Sequence, residues 1–210
     1  MTDTYDTYWN HNVHYHPVVL DAVPHGCRAA LDVGCGDGLL AAKLAARAES
    51  VTGVDRSPEM IRLAHKRDAG NVTFLEGDYL DAGLLDEGGY DFVSAVAVIH
   101  HAPFDDVIER LAGLLAPGGR LVIVGMAHNR TLLDRVISGC GVPVNLLLRA
   151  RRRGGERGPS GMPVEDPIMN WREVRRATAD LLPGRRYRRR LLWRYTLVWD
   201  KPGDIREGGP

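Results

Sequence analysis

The sequence predicts an α/β fold in which helices cover both faces of a mostly parallel sheet. Two observations predict it. Between residues 28 and 126 short β-type runs alternate with helical patterns, the rhythm in which each parallel strand is joined to the next by a crossover. The run from Tyr90 to Val98 (YDFVSAVAV) is nearly all apolar, as a strand buried on both faces requires. With 44% hydrophobic content over 210 residues, the chain can bury one sizeable core, so a single domain spanning 1–210 is expected.

The elements follow in order. Met1 to Asn10 is polar and aromatic, without the basic region and apolar stretch of a signal peptide, and no run of 18 apolar residues occurs anywhere. A cytoplasmic protein with no membrane partner is expected. Pro17-Val18-Val19-Leu20 opens a helix within an N-terminal cap (1–27). Ala29–Val33 is the first strand; it runs into the turn Gly34-Cys35-Gly36-Asp37-Gly38 and the helix Leu39–Ala48, rich in strong helix formers. Ser50–Val54 is a strand ending at Asp55. Ser57-Pro58-Glu59 supplies a capping hydroxyl, a proline at the first helical position and an acid at the positive helix end, so Ser57–Arg67 is helical. Val72–Leu75, Tyr90–Val98 and Arg120–Gly125 are the remaining parallel strands. Phe104–Ala116 is the helix between the last two, with Val107, Ile108, Leu111, Leu114 and Leu115 on one stripe before a Pro-Gly-Gly stop. Thr131–Ser138 closes this core (28–141) as a helix.

Beyond Gly141 the pattern loses regularity. Val144–Arg153 is apolar then basic, and Gly154–Pro163 is rich in glycine, proline and charge, so 142–184 reads as a lid with a mobile stretch inserted before the last strands. Asn170 and Glu173 stand at capping-box spacing and open a helix to about Leu182, ahead of Pro183-Gly184. Arg186–Trp199 alternates basic with apolar or aromatic residues and supplies one or two strands closing the sheet (185–202), although no turn is visible within it. A disordered tail, 203–210, follows. Cys27, Cys35 and Cys140 have neither disulfide nor metal-ligand arithmetic.

Chemistry concentrates at strand ends. Glycines at every second position after a strand let a backbone approach a ligand, and the helix that follows aims its amides at it. A dinucleotide-binding G-x-G-x-x-G would place its third glycine at position 39, which is Leu39; here the third glycine is Gly38. Asp55 stands 23 residues beyond Asp32 at the end of the second strand, where a carboxylate can accept both hydrogen bonds of a ribose diol. Gly77-Asp78-Tyr79 ends the third. Three acids at successive strand ends suit a nucleoside with a free diol and an exocyclic amine.

The segment Asp32-Val33-Gly34-Cys35-Gly36-Asp37-Gly38 resembles motif I (DxGxGxG) of the class I S-adenosylmethionine-dependent methyltransferases. Over about residues 28 to 126 the resemblance implies a Rossmann-like, seven-stranded sheet and S-adenosylmethionine as cofactor. It places Asp32 toward the cofactor's amino-acid end and Gly34, Gly36 and Gly38 under it. Asp55 falls on the ribose with Arg56 beside it, Asp78 on the adenine amine with Tyr79 packed on the ring, and Ala95 and Val96 along the methionine part. His100-His101, after the fourth strand, resembles a pair common in members acting on small molecules. The Asn/Asp-Pro-Pro-aromatic motif of nucleobase and glutamine amino-methylating members is absent.

Transfer from a sulfonium requires mainly that the acceptor be positioned and a proton removed, so His100 or His101 is the expected base. Tyr15 is expected to present its ring to the sulfonium. His11-x-x-His14-x-His16 lacks a companion carboxylate at helical spacing, so no metal is expected. Between Arg149 and Arg194 stand 14 arginines against five acids. Self-complementary packing is the plain reading of that excess; attraction of an anionic partner is the other. Methylation of an O, N or C atom of a small molecule by a monomer or homodimer is therefore expected. The alternatives are an RNA or protein methyltransferase using those arginines, and a non-catalytic module retaining the fold. Few aromatics interleave the arginines from 149 to 157, which disfavours base stacking there; Tyr187, Trp193, Tyr195 and Trp199 do interleave with later arginines, which strand alternation also explains.

Overall fold

The structure is a computed structural model, and it describes residues 8–67, 69–99, 103–139, 141–151 and 169–203. A 3-10 turn, Val13–Tyr15, leads into α1 (His16–Leu20); β1 (Cys27–Val33), α2 (Leu39–Leu44), β2 (Ala48–Asp55), α3 (Pro58–Ala64) and β3 (Val72–Glu76) follow. Next come β4 (Tyr90–Val96), α4 (Phe104–Leu114), β5 (Leu115–Gly125), α5 (Leu132–Gly139) and α6 (Gly141–Arg151). The chain closes with α7 (Trp171–Leu181), β6 (Arg186–Arg189) and β7 (Tyr195–Asp200).

The seven strands lie in the order β3-β2-β1-β4-β5-β7-β6. The first five are parallel, as the sequence predicts, and β7 and β6 are both present and run antiparallel. Strand order reverses between β1 and β4, which opens a crevice at their carboxyl ends. Side-chain alternation sends Leu31, Val33, Val93, Ala95, Leu121 and Ile123 to one face, under α4 and α7. Ala30, Phe92, Val122 and Val124 go to the other, under α1, α2 and α3.

Several boundaries differ from the sequence reading. The α2 helix stops at Leu44, because Asn71 Nδ2 donates to the carbonyls of Ala45, Ala48 and Glu49 and so fixes a turn. The β4 strand ends at Val96, since Ala97 takes the left-handed conformation with φ 58. The α4 helix gives way at Leu115, which is already extended and pairs with Tyr90, so Pro117-Gly118-Gly119 falls within β5 and not before it. The capping box at Asn170 and Glu173 is present in full. Where the sequence loses its period, α6 is a regular helix. The stretch 154–163, the tail beyond 203 and Cys140 lie outside the described residues.

Candidate active site

The glycine turn is bent by three left-handed residues, Gly34, Gly36 and Gly38, at φ 64, 54 and 76. Gly38 caps α2, and a side chain at Gly34 has no room: its Cβ would stand 2.0 Å from Val98 Cγ2. The segment that follows β4 thus crosses directly over the turn. Replacing Gly34 with alanine is expected to destabilise the protein by about 2–4 kcal/mol, combining left-handed strain with overpacking. Denaturant unfolding checks this.

Asp32 is 2% exposed and pairs in register with Gly53 of β2 and Ser94 of β4. Its carboxylate accepts from Ser94 Oγ at 2.8 Å. Burial pushes its pKa up to about 7; Asp55 adds to the shift and the Ser94 hydroxyl opposes it. Asp55 Oδ2 accepts from the Gly36 amide and Oδ1 from the Ser57 amide, both at 2.9 Å. Each oxygen keeps a further acceptor position, which a ribose diol can use. Replacing Asp55 with alanine is expected to weaken cofactor binding about tenfold or more, the worth of a charged hydrogen bond. It also releases two amides that hold the turn, so calorimetric titration and a thermal melt together check the residue.

Asp78 Oδ1 accepts from the Leu80 amide at 3.0 Å. Beside it the Tyr79 hydroxyl is buried without a hydrogen-bond partner, and burial pushes its pKa up to about 12. Arg56 is exposed, Ala95 buried and Val96 half-buried at the end of β4. These features fit S-adenosylmethionine. A buried carboxyl whose described neighbours are a hydroxyl and a second carboxylate suits a ligand ammonium; Asp55 has capacity for hydroxyls, and Tyr79, beside Asp78, is an orphan donor.

The N-terminal cap forms a roof from the turn to the far edge of the sheet. Tyr8 Oη donates to Asp37 Oδ1 at 2.9 Å, and Arg67 binds the other oxygen and the Asp37 carbonyl. Arg194 Nε and Nη2 donate to Asn12 Oδ1 at 3.2 and 2.8 Å. His11 Nε2 meets Asn145 Oδ1 of α6 at 3.0 Å, and its ring packs on Trp193. Tyr15 is buried, its hydroxyl donates to the Leu191 carbonyl and its ring meets His14 edge-on. The hydroxyl is therefore committed to the roof, and only the ring is left to meet a ligand. His100 and His101 follow Ile99 and lie outside the described residues.

Tyr8, Asp37, Arg67 and Ser94 escape sequence reasoning. Ser94 carried a signal, being the one aliphatic hydroxyl in a largely apolar strand; Asp37 lay inside the glycine turn, but its partners are 29 and 30 residues away. The arginine excess has an internal use. Arg189 binds Asp134 and Ser138 and lies 4.0 Å from the centre of the Trp171 ring. Arg185 binds Thr178 and Arg190 binds Thr196. Arg186 pairs with Asp200.

Comparison with known proteins agrees with this geometry. Residues 30–119 match the model of a methyltransferase domain. An uncharacterized methyltransferase of Mycobacterium tuberculosis is 36% identical over 205 residues, covering 94% of this chain and 99% of the relative. A ubiquinone biosynthesis O-methyltransferase of Xanthomonas axonopodis is 36% identical over 112 residues, 51% of this chain and 46% of that protein. The solved structure of a SAM-dependent methyltransferase from Methanosarcina mazei superposes with a TM-score of 0.61 at 20% identity, covering 90% and 98% of the two chains. With the strand order and the acid-lined glycine turn, these matches make the chain a member of the class I S-adenosylmethionine-dependent methyltransferases.

Proposed function

We propose that the protein methylates an O, N or C atom of a small molecule held between the roof and the carboxyl ends of β4 and β5. The roof carries this reading. It is fixed at one end to the cofactor turn through Tyr8 and Asp37 and at the other to the β6–β7 turn through Tyr15 and Asn12. Such a cover suits a small acceptor better than a folded RNA or protein. Hydrogen bonds and ion pairs within the chain occupy Arg185, Arg186, Arg189, Arg190 and Arg194, which supports the same choice, as it reduces the free cationic groups that a polyanion would need. The match to an O-methyltransferase of ubiquinone biosynthesis favours oxygen among the three atoms.

Bound S-adenosylmethionine supplies a methyl group already activated by its sulfonium. The chain's own residues do the rest. Asp32 holds the ammonium, Asp55 the ribose and Asp78 the adenine amine, with Arg56 and Tyr79 alongside. Gly34, Gly36, Gly38, Ala95 and Val96 would line the cofactor, and the Tyr15 ring would be the face offered to its sulfonium. His100 or His101 accepts the acceptor's proton. Holding both reactants in line is the largest contribution asked of the site.

Transfer of label from radiolabelled cofactor to a metabolite extract, followed by identification of the labelled product, tests the reading. A labelled small molecule is expected. Label appearing only in RNA or protein, with RNA affinity falling steeply with salt, would overturn it.

A further inference from the structure

Two surface helices turn apolar side chains outward where polar ones are expected. In α5, Leu132 is 78% exposed and Val136, one turn on, 59%. In α6, Val142, Leu146 and Leu147 are 46%, 62% and 51% exposed, and Pro143 and Ala150 also face out. These α6 positions form one helical stripe without a polar side chain. The opposite side of α6 makes its attachments: Leu148 packs on the core under the cap, and Asn145 meets His11. Leu191, 50% exposed, extends the surface onto the β6–β7 turn, against which Gly141 packs. A helix apolar on its outer side as well is made for burial, and a contiguous exposed apolar patch marks a docking surface.

Charge selects what covers it. On α5 the Arg135 side chain is exposed. Asp134, just before, is held by Thr131 and Arg189. Arg188, on the strand beside them, is exposed. Two copies meeting through this face would bring like charges together, whereas an anionic partner is attracted. Among the described residues no helix is long and apolar enough to cross a membrane; α6 has 11 residues. Short helices with exposed leucines and arginines lie in the headgroup region.

We propose that the α5–α6 face docks the protein onto an anionic lipid surface, with Leu132, Val136, Leu146 and Leu147 entering the headgroup–acyl boundary. This departs from the sequence expectation of no membrane partner. It does not depend on which acceptor is methylated. Because α6 is tied to the roof through His11, docking sets the acceptor edge beside the lipid.

Co-sedimentation of the full chain with vesicles tests the proposal. Phosphatidylcholine vesicles containing phosphatidylglycerol are expected to bind at least about tenfold more tightly than phosphatidylcholine alone, and binding should weaken with salt. The double variant L146D/L147D is expected to lose about tenfold or more of that binding, with S-adenosylmethionine affinity by calorimetry unchanged, which separates docking from the proposed chemistry. Equal binding to both vesicle types, or none, overturns the proposal. So does a dimer in sedimentation equilibrium that the same variant dissociates, since a second copy then covers the face.

Discussion

Replacing Asp32 with asparagine is expected to weaken S-adenosylmethionine binding by about 10- to 100-fold, the worth of one charged hydrogen bond, while making the cofactor-free protein more stable at pH 8. The opposite signs follow from one fact. Burial holds the Asp32 carboxyl at about 7 against an ordinary 3.8. Below about pH 4 folded and unfolded chains both carry the proton. Between about 4 and 7 the folded chain keeps a proton that the unfolded chain loses, so stability falls as pH rises through this window, by at most about 4 kcal/mol in all. Asparagine carries no charge into the core and can still accept from Ser94 Oγ. At pH 8 its melting temperature is expected to exceed that of the wild type by about 2–4 °C for each kcal/mol recovered in a chain of this size.

A ligand ammonium beside the carboxylate reverses the balance. Wild-type affinity for S-adenosylmethionine is expected to fall as pH drops below about 7, by up to about tenfold per pH unit, because binding must then expel a proton. The asparagine variant should lack this slope. Calorimetric titrations at pH 6 and pH 8, together with thermal melts of both proteins, measure all three effects. Equal affinities at pH 8 would show that the carboxyl does not face the ammonium.

What the sequence revealed of this molecule follows from which interactions are local. Four parallel strands were readable as short β-type runs stopped by an acid or glycine; the fourth in chain order, Tyr90–Val98, has no such stop and ends two residues earlier than read. The β6–β7 turn was not readable. Its left-handed positions are Leu192 and Trp193, at φ 53 and 58, in place of the glycine or asparagine that announces such a turn. It is closed instead by the Arg190 amide on the Arg194 carbonyl and gripped by the cap through Tyr15 and Asn12. The α6 helix was hidden for another reason: its apolar outer face removes the polar–apolar contrast that defines a helical period. In the site, the Asp32–Ser94 bond needed the β1–β4 register, and the Tyr8–Asp37–Arg67 set needed the cap in place.

Replacing His100 and His101 together with alanine is expected to lower kcat by about 100-fold or more, the usual contribution of a positioned base, and to leave S-adenosylmethionine affinity unchanged. The structure motivates the expectation through the three residues that precede the pair. Ala97 holds a left-handed conformation that costs about 1–2 kcal/mol for a residue with a side chain, and its amide donates to the Val124 carbonyl at 2.8 Å. Val98 lies against Gly34, and Ile99 is buried at 4% exposure. Strain is therefore maintained where the chain leaves β4 over the cofactor turn. A base must be neutral to accept a proton, so wild-type kcat should rise with pH along an acidic limb. The double variant should lose that limb, and each single variant shows which histidine carries it. Retention of kcat within about twofold by all three variants, measured with the acceptor identified by label transfer, would mean that positioning alone drives the transfer.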